Sequence, residues 1–135
     1  MKFSVNSTCP CGSGKKYKKC CQPFHKGANP KTALDLMRSR YCAFYLNLPK
    51  YIIKTTHPNN PDFSTDIKQW TKDIVEFSTS CEFLSLEILE SNSYSPTEAT
   101  VTFKANILSN GEDISFVEKS QFYKLNNIWL YCNML

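Results

Sequence analysis

Apolar positions along the chain follow two periods in succession. Leu34, Met37, Tyr41, Phe44 and Leu48 recur at three-and-four spacing, which puts them on one stripe of a helix with Arg38 and Cys42 on an adjoining flank. Pro30 and Thr32 mark its start. A second, short helix is expected over residues 50–56. It stops near His57, because Pro58 disfavours helical geometry in the residue before it. Asn59, Asn60 and Pro61 then form a loop, and Ser64 is placed to cap a third helix buried through Ile67, Trp70, Ile74 and Phe77.

From residue 82 the period changes to two. Leu84, Leu86 and Ile88 alternate with Ser85, Glu87 and Leu89, and Ala99, Val101, Phe103, Ala105 and Ile107 alternate with mainly polar neighbours, the pattern of half-buried strands. Asn110 and Gly111 supply a tight turn into a third strand, Asp113 to Leu125. Asn126 and Asn127 turn the chain into a last one, Ile128 to Cys132. Helices first and a meander of strands afterwards predict an α+β fold. Three helices pack in a curved antiparallel four-stranded sheet that forms a cone with one open end.

Neither period covers the first thirty residues. Residues 9–21 read CPCGSGKKYKKCC, so four of the seven cysteines, Cys9, Cys11, Cys20 and Cys21, fall within thirteen positions. Zinc takes four soft ligands in a tetrahedron, and two short ligand pairs separated by a small loop supply them without needing a hydrophobic core. Gly12 and Gly14 permit positive φ, which lets the backbone fold back on the sulfurs, and Pro10 stiffens the first pair. His25, four residues after Cys21, is an alternative to it as fourth ligand. A disulfide pair is disfavoured in a reducing compartment. A redox thiol draws on the same lysines that would neutralise a metal tetrathiolate. GSGKK lacks the preceding strand and the spacing of a phosphate-binding loop. The chain is thus expected to divide into a zinc-binding unit, residues 1–25, and a cone domain, residues 26–135, joined through QPFHKGANPK. Cys20→Ser is expected to abolish zinc binding and disorder residues 9–21 while the cone stays folded.

Charge is distributed unevenly. Residues 1–54 hold eleven Lys or Arg against a single acid, Asp35, within a chain of net charge +4. Such a basic half is suited to nucleic acid, ribosomal RNA or an acidic protein surface. No apolar run is long enough to span a bilayer, and MKFSVNSTCP has no secretion-signal core, so a cytoplasmic location without membrane insertion is expected.

CPCGSGKKYKKCC resembles the SEC-C motif, found at the carboxyl terminus of the translocase ATPase SecA and in many small bacterial proteins. LMRSRYCAF at 36–44, THP at 56–58 and EKSQF at 118–122 ahead of IWLY resemble the uncharacterised YchJ-like family. That resemblance implies a cone similar to nuclear transport factor two behind the motif. The SEC-C likeness implies contacts with a chaperone or the ribosome.

A curved sheet over a helix leaves a cavity at its wide end. On the third strand Ile114, Phe116, Glu118, Ser120 and Phe122 share one face, which places Glu118 and Ser120 among apolar groups. Arg38 and Arg40 are candidate partners for that carboxylate. Tyr41 and Trp70 are candidate walls. His57, on a loop fixed by proline, is with Glu118 the candidate for acid–base chemistry. Two functions follow as expectations. One is a zinc-binding adaptor whose knuckle meets a protein or ribonucleoprotein. The other is a small-ligand binder or enzyme, of isomerase or hydrolase type, that uses the cone; fold analogy alone supports it.

Overall fold

The computed structural model describes residues 3–135; Met1 and Lys2, which the sequence assigns to the knuckle unit, lie outside them. A single 3-10 turn, Tyr17–Lys19, and a short helix α1, Gln22–His25, form the knuckle region. Helices α2 (Ala33–Leu46), α3 (Pro49–Lys54) and α4 (Ile67–Ser80) follow. The sheet comprises β1 (Cys81–Ser95), β2 (Glu98–Ser109), β3 (Glu112–Asp113), β4 (Phe116–Leu125) and β5 (Ile128–Met134). It is antiparallel in the order β1-β2-β4-β5, and β3 is a two-residue addition to β2.

Helix α2 starts where Thr32 accepts a hydrogen bond from the Asp35 amide. It ends at Asn47, whose left-handed φ of 58° closes the last turn before Pro49 opens α3. Leu48 caps α3 and so leaves the stripe predicted for the first helix. Burial on α2 is wider than one stripe. Leu36, Met37 and Tyr41 join the main core with Phe83, Val101 and Phe122, Cys42 joins the cysteine cluster, and Ala43 packs with Tyr51, Ile52, Trp70 and Ile74. The helix is covered on several sides, which a stripe-based reading cannot register.

The third helix departs from its sequence reading in two ways. Asp66, not Ser64, is its cap, accepting from the Gln69 amide, while Ser64 Oγ accepts from the Asp66 amide one step earlier. Only Trp70 and Ile74 of its expected stripe are buried; Ile67 and Phe77 are exposed.

Strand β1 carries three register shifts against β2, which leave Leu84, Leu89 and Tyr94 without a partner in the ladder. Each is an extra residue of a bulge, and each is exposed. The first bulge resets the alternation, so Phe83 and Leu86 are buried in place of Leu84. The bulges also bend the strand, which lets the sheet curve around α2. The strand expected from Asp113 is split: Ile114 and Ser115 interrupt it, and Ser115 Oγ accepts from the Ile107 amide there. The turns at Asn110-Gly111 and Asn126-Asn127 both show the positive φ values of tight hairpins. No helix among the described residues is long and apolar enough to cross a membrane.

Candidate metal centre and cone cavity

The knuckle begins as a small hairpin. Thr8 bridges Lys16, and the Cys9 amide donates to Lys15 O at 2.8 Å. Gly12 and Gly14, at φ of 82° and 83°, fold the loop between them. The 3-10 turn then delivers Cys20, and Cys21 precedes α1. The four sulfurs all lie within 4.8 Å of one another, with Cys11 and Cys20 at 3.5 Å and Cys20 and Cys21 at 4.0 Å. A tetrathiolate with metal–sulfur bonds near 2.3 Å has sulfur–sulfur edges of about 3.8 Å. Cys9, Cys11, Cys20 and Cys21 therefore fit a tetrahedral metal ion.

The electrostatics agree with that fit. Hydrogen bonding from Cys11, then from Cys21 and Cys42, holds the Cys9 thiol far below the usual range, whereas the same crowding by Cys11 pushes Cys21 far up. Burial pushes Cys20 up to about 11. A cation bound among the sulfurs would favour their thiolate forms.

His25 is not part of the quartet. Its Nδ1 accepts from Tyr17 Oη at 2.7 Å and its Nε2 donates to Ser39 O at 2.9 Å, so both ring nitrogens are committed to the fold. Burial lowers its pKa and favours the neutral ring that this arrangement needs.

The knuckle rests on the flank of α2 that carries Arg38 and Cys42. Arg38 was grouped with the cone cavity; instead its Nη1 donates to Cys11 O at 2.7 Å. Cys42, expected only as a small buried residue, lies with its sulfur 3.9 Å from that of Cys9 and is fully buried. Cys42 lies four positions beyond Arg38, so they share a face, and this spacing was the available signal that the flank has its own neighbour. Lys15, Lys16, Lys18 and Lys19 remain exposed on the outer side.

A cavity of about 520 Å³ opens inside the cone. Met37, Phe44, Trp70, Phe83 and Phe103 are among its walls, and Arg40, Glu118 and Ser120 supply polar lining. Of the expected pocket residues, Arg40, Tyr41, Trp70, Glu118 and Ser120 are thus gathered here, while Arg38 is not. His57 also lies elsewhere. It is half-buried on the loop after α3, accepts the Asn59 amide on Nδ1 at 3.0 Å and sits 6.1 Å from the Tyr123 ring. The backbone explains this: Thr56 bridges Tyr131, and the His57 amide donates to Tyr131 O at 2.8 Å, which ties the loop to β5.

Arg40 does not pair directly with Glu118 as expected. Its Nη1 donates to Ile52 O at 3.1 Å, Thr55 Oγ1 at 2.8 Å and Thr56 Oγ1 at 3.1 Å, all at the end of α3. Burial lowers its pKa to about 10, opposed by Tyr131, Tyr51, Glu118 and Asp62, so it stays charged at neutral pH. The guanidinium carbon stands 4.8 Å from the Tyr131 ring centre. Tyr131 Oη in turn donates to Glu118 Oε2 at 2.9 Å, and Ser120 Oγ donates to the same oxygen. Burial, then Glu118, raises the Tyr131 pKa and keeps its proton in place. Tyr131 is not among the residues the sequence singles out for the pocket, although it closes the IWLY run of the last strand.

Comparison with known proteins places this geometry. The family model described as "YchJ, middle NTF2-like domain" matches residues 32–134, and that of the SEC-C motif matches residues 6–23. A UPF0225 protein of Shewanella sp. (strain MR-7) is 38% identical, with 93% of this chain and 79% of the relative covered. The solution structure of a SEC-C motif containing protein from Rhodopseudomonas palustris superposes with a TM-score of 0.82 at 32% identity, covering 96% of this chain and 98% of that one. A crystal structure of a SEC-C motif containing protein from Psychrobacter arcticus gives 0.78 at 29% identity, covering 96% and 82%. With a matching knuckle at one end and a matching cone over the rest, the chain belongs to the YchJ-like family of SEC-C motif containing UPF0225 proteins.

Proposed function

We propose that the protein is a zinc-binding adaptor whose knuckle presents a fixed basic loop to an acidic protein surface or a ribonucleoprotein. The observation that carries this reading is the two-sidedness of the knuckle. Its inner side is held to α2 through Arg38 and Cys42, while Lys15, Lys16, Lys18 and Lys19 stay in solvent. A metal that fixes a loop against a helix restricts the lysines to one surface, so less conformational entropy is lost when a partner binds. Zinc is the metal that four thiolates in a closed tetrahedron select in a structural role. Reduced thiols of this kind belong in a reducing compartment, which makes the cytoplasm the proposed location.

Co-sedimentation with purified ribosomes, and pulldown of secretion components from lysate, test this reading with the zinc-loaded protein and a variant carrying Lys15→Glu, Lys16→Glu, Lys18→Glu and Lys19→Glu. The adaptor reading expects binding by the first and a loss of at least tenfold in the second, with zinc content equal in both. Equal behaviour of the two proteins would overturn it. Steep salt dependence together with binding to any RNA would assign the lysines to nonspecific phosphate contacts instead.

A further inference from the structure

The cone cavity carries charged groups that the knuckle does not touch. Arg40 lines the cavity and is only 9% exposed, yet its hydrogen bonds to described residues all leave from Nη1. The described side-chain polar atoms sealed from solvent without a partner are Tyr41 Oη and Ser78 Oγ. Nε and Nη2 of Arg40 are therefore not sealed, and the cavity that Arg40 lines is the space beside them. A buried guanidinium with a free edge is a strong seat for a carboxylate, which it can engage through two parallel hydrogen bonds.

The opposite demand sits beside it. Glu118 Oε2 receives Ser120 and Tyr131, whereas Oε1 has no partner among the described residues. Asp62 also lines the cavity, and its charge acts on both Arg40 and Tyr131. A simple carboxylate ligand would satisfy Arg40 but would face the like charges of Glu118, Asp62 and Asp73. A simple amine would satisfy Glu118 but would leave the Arg40 edge empty. A head group with both charges answers both partners, which Tyr131 links through its ring to Arg40 and through its hydroxyl to Glu118. Phe44, Trp70, Phe77, Phe83 and Phe103 offer the remaining volume to a large apolar substituent.

We propose that the cone cavity binds a free α-amino acid with a large apolar side chain, with its carboxylate on Arg40, its ammonium on Glu118 and its side chain among the aromatic walls. The cavity volume lies in the range of small-molecule sites and exceeds what one such ligand needs.

Trp70 lines the cavity, so its fluorescence reports occupancy in the intact, metal-loaded protein. The probes are L-phenylalanine, phenethylamine and 3-phenylpropionate, which share a ring and differ in the charges retained, together with L-leucine and L-tryptophan. L-phenylalanine should bind, and at least tenfold tighter than either singly charged analogue. Glu118→Gln should weaken L-phenylalanine and phenethylamine about tenfold and leave 3-phenylpropionate unchanged or improved. Ala105→Phe, which fills the cavity from β2, should abolish every signal while circular dichroism confirms the fold. Absence of L-phenylalanine binding, or preference for 3-phenylpropionate or phenethylamine, would overturn the proposal. Because the lysine variants of the knuckle leave the cavity intact, failure here and failure of the adaptor reading are separate results.

Discussion

Arg38 reaches across twenty-seven residues of sequence to donate a 2.7 Å hydrogen bond to the carbonyl of Cys11. It thereby joins the middle of α2 to the first ligand pair of the metal centre. A charged donor on a half-buried carbonyl is worth about 1.5–3 kcal/mol. Arg38→Met should lower stability by about that amount. It should also speed zinc release to a chelator severalfold, as followed by a colorimetric zinc indicator. Unchanged release would show that the ion alone holds the loop.

Metal content provides a second check. Freshly purified protein, kept reduced, should contain one zinc per chain by elemental mass spectrometry. Cys20→Ser should contain none. That variant should retain the far-ultraviolet circular dichroism of the sheet, because the main core draws on α2, β1, β2, β4 and β5 and includes no knuckle residue. Its melting temperature should nevertheless fall, since Cys42 and the Arg38 flank lose their cover. Complete unfolding would contradict the division into two units.

The two knuckle glycines should respond differently. Both have left-handed φ, so alanine costs roughly 1–2 kcal/mol at either. At Gly12 a Cβ would also stand 3.0 Å from the backbone oxygen of Leu86, whereas at Gly14 nothing lies within 4 Å. Gly12→Ala should therefore destabilise more than Gly14→Ala in chemical denaturation of the metal-loaded protein. Equal losses would mean that Gly12 does not approach the Leu86 carbonyl of β1.

His25 supplies a pH prediction. Burial depresses its folded pKa, so folding favours the neutral ring. Its contribution is fully present above the unfolded value of about 6.5 and is lost as pH falls through the folded value below it. NMR titration of the metal-loaded protein should show the His25 ring protons moving at lower pH than those of a histidine in an unstructured peptide. A midpoint at or above 6.5 would remove the assigned hydrogen bonds to Tyr17 and Ser39.

Much of this architecture was legible in the chain because its signals are local. Thr32 ahead of an apolar stripe, the change of period near residue 82 and the asparagine turns each act within a few residues, and each marks an element of the fold. Four cysteines within thirteen positions work in the same way. What escaped depends on packing at a distance. Leu84 was assigned to the interior because a bulge, which resets alternation without altering composition, cannot be read from a periodic pattern. Arg38 and Arg40 looked equivalent on the sequence, but two positions along a helix turn a side chain by about 200°. Tyr131 stands in the sequence only as the last residue of IWLY, since its link between Arg40 and Glu118 exists only once α2, β4 and β5 have met.

The placement of the metal centre against α2 limits how freely evolution or engineering can move it. A cysteine-rich loop taken alone would arrive with one side bare, because Cys42, Arg38 and the Ser39 carbonyl belong to the host. Transplanting this knuckle to another carrier therefore requires bringing a matching helical surface with it.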